Sequence, residues 1–235
     1  MQKKLQNNIE FFQKNGYVII EDIFTPEECD LIINSAHDIL GKSNKDLTPL
    51  INIHKGSNEV QNFMANDELI EFIENFFEGK ALGLQTEFFF MPPKTIGFNP
   101  HQDNSYVNAA PNSFVSAWCA LTDIDESNGG LIVWPGTHLE GQLKTEVTGL
   151  AKSENQDPNA VLKKTIIPKE FKSKNIRIKK GSILMIHSWL VHASNTNTSY
   201  SNRYVLLCTY LKQYSDFRSG EYARRVPFKL IDKNQ

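Results

Sequence analysis

No apolar run in this sequence approaches the ~18 residues needed to cross a bilayer, so a membrane-spanning chain is not expected. Cysteine is scarce. Cys29, Cys119 and Cys208 are odd in number, far apart and set in apolar stretches, as expected of reduced core residues in a cytoplasmic protein rather than of a disulfide framework. Cys119, inside SAWCALT, has no basic neighbour to activate it and is read as packing. There is no excess of either charge: 25 Lys and Arg face 27 Asp and Glu, a net charge of −2. Nucleic-acid binding by counterion release is therefore not expected. There is no internal repeat, low-complexity tract or collagen-like period. The N-terminal MQKKLQNNIEFF has no apolar core and no small-residue cleavage site, so a secretory signal is not expected.

What is present is an ordinary globular composition, 40% hydrophobic and 22% charged over 235 residues. A chain of this size buries about 70% of its unfolded surface and needs no metal merely to fold. Leu5, Ile9 and Phe12 lie at helical spacing within 3–15, and YVIIE (17–21) reads as a strand. Thr25-Pro26-Glu27-Glu28 is a helix start: an N-cap, a proline at N1 and a glutamate closing a capping box. That helix is expected to run to Leu40, and another from near Asn66 to Gly79. After residue 80 the segments 83–91, 113–122, 130–134, 175–180, 182–189 and 203–211 are rich in β-branched and aromatic residues and separated by turn formers. Helices followed by strands predict an α+β, mainly β protein, with helices packed on an antiparallel sandwich or barrel. The polar stretch 139–174 is either a loop over the mouth of a site or a solvated insertion.

Six histidines are present. His101-Gln102-Asp103 is an H-x-D triplet, and on a strand alternate side chains share a face. A neutral imidazole and a carboxylate, joined by one distant histidine, form the 2-His-1-carboxylate facial triad that leaves positions open on iron. Alone the triplet is weak: this composition gives roughly 0.3 such triplets by chance, and His138-Leu139-Glu140 is a rival. His187 and His192 both lie in an apolar strand region. Their odd offset of five puts them on opposite faces of a regular strand. His54 could reach the site from an earlier strand, and His37 reads as a boundary residue. Arg203, eleven residues after His192, opens a strong strand. A buried arginine there needs an anionic partner, and a dicarboxylate would supply a bidentate one.

HQD (101–103), NGGLIVWPGTH (128–138), HAS (192–194) and the step to Arg203 together resemble the phytanoyl-CoA dioxygenase family, from YVIIEDIFTPEEC (17–29) to near Tyr210. The resemblance implies a double-stranded β-helix (jelly-roll, cupin-like) core with N-terminal flanking helices. It makes the chain a single oxygenase domain: 1–80 as a mostly helical flank, 81–215 as the β core and 216–235 as a tail. It implies Fe(II) held by His101, Asp103 and His192, with 2-oxoglutarate as cosubstrate and O2 as oxidant. Arg203 then matches the arginine pairing with the far carboxylate of 2-oxoglutarate. Ser194 matches a position hydrogen-bonding the same group, Trp118 a tryptophan beside the cosubstrate, and Gln85 a further cosubstrate contact. The PGTH turn leaves His138 outside the metal shell. Halogenating relatives carry Gly or Ala where Asp103 stands, so hydroxylation of a small-molecule substrate is expected.

Asn104, Ser105 and Tyr106 follow the metal motif directly and are expected as substrate contacts. Trp189 and the Phe88-Phe89-Phe90 run could be core or substrate cage. Arg218, Arg224 and Arg225 read as a solvated tail or as a contact for an anionic substrate. The competing class is a zinc-containing or non-catalytic barrel, since histidine and carboxylate also suit zinc. Arg203 and Ser194 discriminate, because hydrolysis gives them no dicarboxylate to bind.

Overall fold

The computed structural model describes residues 2–41, 49–148, 162–220 and 224–231. The N-terminal part holds α1 (Gln2–Asn15), β1 (Tyr17–Ile20), α2 (Pro26–Gly41), β2 (Leu50–Ile51), α3 (Asn58–Met64) and α4 (Asp67–Phe77). Next come β3 (Ala81–Met91), the short α5 (Asn104–Val107), β4 (Phe114–Ala120) and β5 (Leu131–Val133). The remainder is β6 (Thr145–Val147), β7 (Lys163–Thr165), β8 (Lys174–Asn175), β9 (Ile183–His187), β10 (His192–Ser194) and β11 (Arg203–Lys212).

Local chemistry sets the helix ends. The Thr25 hydroxyl accepts from Glu28 N at 3.2 Å, and Glu28 Oε2 accepts from Thr25 N at 2.8 Å, the expected capping box. Asn66 caps α4 through Leu69 N at 3.1 Å. Helix α4 buries Leu69, Phe72, Ile73, Phe76 and Phe77, an i, i+3, i+4 stripe on one side.

The strands pair antiparallel in a major sheet of order β1-β9-β4-β11-β3-β2 and a minor sheet of order β10-β5-β8. One face of the major sheet, with Phe88, Phe90, Ala117, Cys119, Cys208 and Tyr210, packs against the helices. The other face, with Trp118, Leu184, Ile186 and Val205, meets Leu131, Val133, Ile176 and Ile178 across the two sheets. Strand alternation alone produces this division. Cys29, Cys119 and Cys208 are buried and free, and burial pushes the Cys29 thiol up to about 11. Among the described residues no helix is long and apolar enough to cross a membrane.

Three features depart from expectation. Residues 175–180 are not a full strand: β8 ends at Asn175, and Ile178 makes only a bridge to Ile124, because the stretch crosses from the minor sheet to the turn before β9. Helix α3 and strand β2 are too short to stand out in the sequence pattern. In the polar stretch, β6 and β7 form a separate two-stranded ribbon, and 149–161 lie outside the described residues.

Gly181 joins the helical layer to the major sheet. Its φ is +86°, and a Cβ there would stand 2.1 Å from the Phe24 carbonyl oxygen. We expect Gly181→Ala to lose about 2 kcal/mol or more of stability, read as a lower urea midpoint with unchanged slope. Two buried histidines add a pH dependence. Burial, with His138 alongside, holds His187 down to about 3, and burial with Lys55 nearby holds His54 down to about 4. Both stay neutral in the folded chain while the unfolded chain protonates below about 6.5. Their stabilisation is thus complete above pH 6.5 and lost as the pH falls towards these depressed values. His187→Gln should remove about 2 kcal/mol of the difference in unfolding free energy between pH 7.5 and 5, measured by urea titration at both pH values.

Candidate metal centre

His101 and His192 meet through a reciprocal pair of backbone hydrogen bonds, His101 N to His192 O at 2.9 Å and His192 N to His101 O at 3.0 Å. Their ring centroids lie 4.2 Å apart. Beyond His101 the chain does not continue as a strand. Asp103 has φ −58° and ψ −36° and leads into α5. The expected alternation on one strand face is therefore not what unites the triplet. A bridge residue followed by a helical turn does so, and it carries Asp103 back over the imidazoles. Asp103 Oδ1 lies 3.6 Å from His101 Nε2 and 3.5 Å from His192 Nε2. The three donor atoms all fall within 4.8 Å of one another, and among the described residues this is the one such cluster.

The surroundings orient each donor. His101 Nδ1 donates to the Asn99 carbonyl at 2.8 Å and His192 Nδ1 to that of Leu190 at 3.2 Å. Carbonyl partners require the proton on Nδ1, which turns both Nε2 lone pairs inward. Burial, with His192 beside it, lowers His101 to about 4, so its imidazole is neutral at pH 7. Ser116 Oγ donates to Asp103 Oδ2 at 2.6 Å, leaving Oδ1 for the centre. Gln102, fully buried, donates to the Trp189 and Gly141 carbonyls at 2.6 and 2.8 Å and accepts from Leu143 N at 2.9 Å. It ties the turn to two loops. The polar stretch thus braces the H-x-D turn, and none of its described residues lines the cavity.

The donors open into a cavity of about 190 Å3 between the two sheets. Arg203 also lines it and is 2% exposed. Its guanidinium donates to the Gly129 carbonyl at 2.5 Å and contacts the Met91 sulfur, while Nε has no hydrogen-bond partner among the described residues. It lies 5.4 Å over the Trp118 ring. Burial without a carboxylate partner pulls it down to about 9. A buried cation left so is costly, and an anion entering the cavity would relieve it. The donor set suits a divalent metal with open positions, and Arg203 suits a carboxylate bound beside it.

Of the other expected residues, Trp118, Ser194, Gln85 and Tyr106 line the cavity. The Ser194 hydroxyl accepts from Phe98 N at 2.7 Å. Three residues expected as substrate contacts do not line the cavity. Asn104 is fully buried and closes its own loop, accepting from Ala109 N at 2.8 Å and donating to its carbonyl at 3.0 Å. Ser105 turns its hydroxyl into protein, and Trp189 touches the centre only through its carbonyl on Gln102. Neither lines the cavity. Phe89 lines the cavity, whereas Phe88 and Phe90 belong to the core. His187 sits on the opposite face against Asn112, His138 meets the Gln13 carbonyl, and His54 stacks on Phe228. His37 is exposed beside Phe90 and Tyr204. Sequence reasoning missed Gln102 and Ser116. The signal for Ser116 was its place two before Trp118, on the same face of β4.

The phytanoyl-CoA dioxygenase (PhyH) family model matches residues 12–205. The chain belongs to this family. It is 26% identical over 235 aligned residues to a peroxisomal phytanoyl-CoA dioxygenase of Bos taurus, covering 84% of this chain and 66% of that protein. With a phytanoyl-CoA dioxygenase of Arabidopsis thaliana identity is 24% over 249 residues, covering 84% of this chain and 85% of the other. The fold resembles that of the epimerase SnoN in complex with Fe3+, alpha ketoglutarate and nogalamycin RO. The TM-score is 0.75 and identity 16%, over 99% of this chain and 98% of that one. That likeness confirms the double-stranded β-helix architecture.

Ser116→Ala removes the hydrogen bond that orients Asp103. Outer partners of this kind are worth about 10- to 100-fold in metal affinity. We expect zinc(II) and iron(II) to bind about tenfold more weakly to this variant, with its thermal unfolding midpoint nearly unchanged, as read by competition with a chromogenic chelator.

Proposed function

We propose that this family member is an Fe(II)- and 2-oxoglutarate-dependent dioxygenase that hydroxylates a C–H bond of a small metabolite, with release of succinate and CO2. The observation that carries the reading is the pairing, in one cavity, of the His101/Asp103/His192 donor set with a buried Arg203 that has no carboxylate partner among the described residues. In this role His101, Asp103 and His192 hold the metal. The bound iron supplies activation of O2 coupled to oxidative decarboxylation of 2-oxoglutarate.

The chain's own groups do the rest. Arg203 grips the far carboxylate of 2-oxoglutarate by a charge-assisted pair, with the Ser194 hydroxyl nearby. Trp118 walls one side of the cosubstrate, and Gln85 offers an amide to it or to the substrate. Phe89, Leu131, Ile186 and Leu207 line the cavity with apolar surface and keep bulk water from the reacting atoms. Asp103 occupies a metal position that halide would need, which favours hydroxylation. Arg203 favours this reading over a zinc hydrolase, in which it has no partner. We further propose that 1–235 works as one oxygenase domain, because β1 from the flank joins the major sheet and Phe228 from the tail pairs with Gly83. The three free thiols suit a reducing compartment, and we propose the cytoplasm.

Anaerobic Fe(II) titration with 2-oxoglutarate, followed by visible absorbance, tests the reading. A weak band should appear in the wild type, and Arg203→Ala should weaken 2-oxoglutarate binding by on the order of 100-fold. Asp103→Ala should abolish succinate formation. A folded, iron-loaded wild-type protein that gives no band would overturn the assignment.

A further inference from the structure

Of the three metal donors, Asp103 is the one that pairing between strands does not place. It stands at the head of α5, a helix of four residues. One turn is too short to be stable by itself, and its last carbonyls have no partner within it. The tail beyond β11 supplies those partners. Arg218 Nη2 donates to the Ser105 carbonyl at 2.5 Å, Nε to the Tyr106 carbonyl at 3.1 Å, and the Arg218 backbone N to the Val107 carbonyl at 2.6 Å. We propose, on the metal-centre reading above, that Arg218 is a positioning residue of that centre: by holding the end of α5 it fixes the turn that carries Asp103.

Two hydrogen-bonded chains run from Arg218 to the H-x-D turn. The first passes through the peptide group between Ser105 and Tyr106. Its carbonyl accepts from Arg218 Nη2, and its N–H, on Tyr106, donates to the Asp103 carbonyl at 3.0 Å. The second starts at the Arg218 backbone N and the Val107 carbonyl. The same peptide group then donates through Asn108 N to the Asn104 carbonyl at 2.7 Å, and Ser105 N donates to the Gln102 carbonyl at 3.0 Å. A donor at one end of a peptide group polarises it and strengthens the bond at its other end. The tail thus reaches both Gln102 and Asp103 through backbone alone.

The residue type fits the task. Nε and Nη2 form a rigid edge of two donors that meets two neighbouring carbonyls at once, and a cation is favourable at the C-terminal end of a helix. Phe217 anchors the clamp, packing on the cluster of Leu84, Val107, Ala109, Phe114 and Leu211. Arg225 adds a long contact to the Tyr106 carbonyl at 3.4 Å. Arg218 is exposed, so water competes for its bonds and its effect is modest. Simple charge would act the other way. Removing a cation near the centre should strengthen the binding of a metal ion, whereas loosening the turn should weaken it, so the sign of the change separates the two.

The test uses the full chain, wild type and Arg218→Ala, with cobalt(II) as the probe. The variant should bind cobalt(II) about fivefold more weakly, read by competition with a chromogenic chelator. Its visible cobalt bands should shift, because they report donor geometry. In the metal-free protein the Tyr106 amide should exchange with deuterium about fivefold faster. Asn108 should change less, since its chain starts from the backbone N that alanine retains. The thermal midpoint should be nearly unchanged. Cobalt(II) binding that is unchanged or tighter, with unshifted bands, would overturn the inference. So would a lowered midpoint with unaltered metal binding, which would make Arg218 an anchor for the tail only. Those outcomes leave the oxygenase reading standing, whereas a folded wild type that binds no cobalt(II) would remove both.

Discussion

The reciprocal backbone hydrogen bonds between His101 and His192 are the contact on which the centre depends. They join a loop leaving β3 to the first residue of β10, residues 91 apart in sequence. Two imidazoles on directly opposed bridge residues lie side by side, and the turn at Asp103 brings its carboxylate onto them. Everything around this bridge holds it still: Gln102 ties the turn to two loops, Ser116 turns the carboxylate, and the Asn99 and Leu190 carbonyls set the tautomers. A donor set placed by backbone pairing is stiffer than one placed on free loops, because the side chains inherit the rigidity of the sheet.

Charge and apolar surface share the cavity. Arg203 is buried and lowered to about 9 by burial alone, a cost that an anion bound beside it would offset. Ile51, Phe89, Val107 and Phe114 line the same cavity. Two long strands supply much of the lining: Arg203, Leu207 and Thr209 from β11, and Gln85, Glu87 and Phe89 from β3.

The helical layer serves the site indirectly. It covers the outer face of the major sheet with a core that includes Phe12, Phe72, Phe76 and Tyr210. That leaves the inner face free to carry polar groups such as Gln85, Ser116 and Arg203. His187 shows the division, since it lies five residues before His192 yet faces the helices, beside Phe12 and Phe76.

Much of this was legible in the sequence. The capping box at Thr25, the strand pattern after residue 80, the H-x-D triplet, His192 and Arg203 are all local or evenly spaced features, and local propensity and side-chain period decide them. Residues 175–180 were misread as a full strand because a turn there breaks the pattern, and a turn's direction depends on what it packs against. Gln102 and Ser116 acquired meaning only from distant partners, Trp189 and Gly141 for the first and Asp103 for the second. The sequence by itself determined which residue types were available and the faces they took on regular strands. Only the tertiary structure decided which of them converge, because hydrogen bonds and charges act through space and not along the chain.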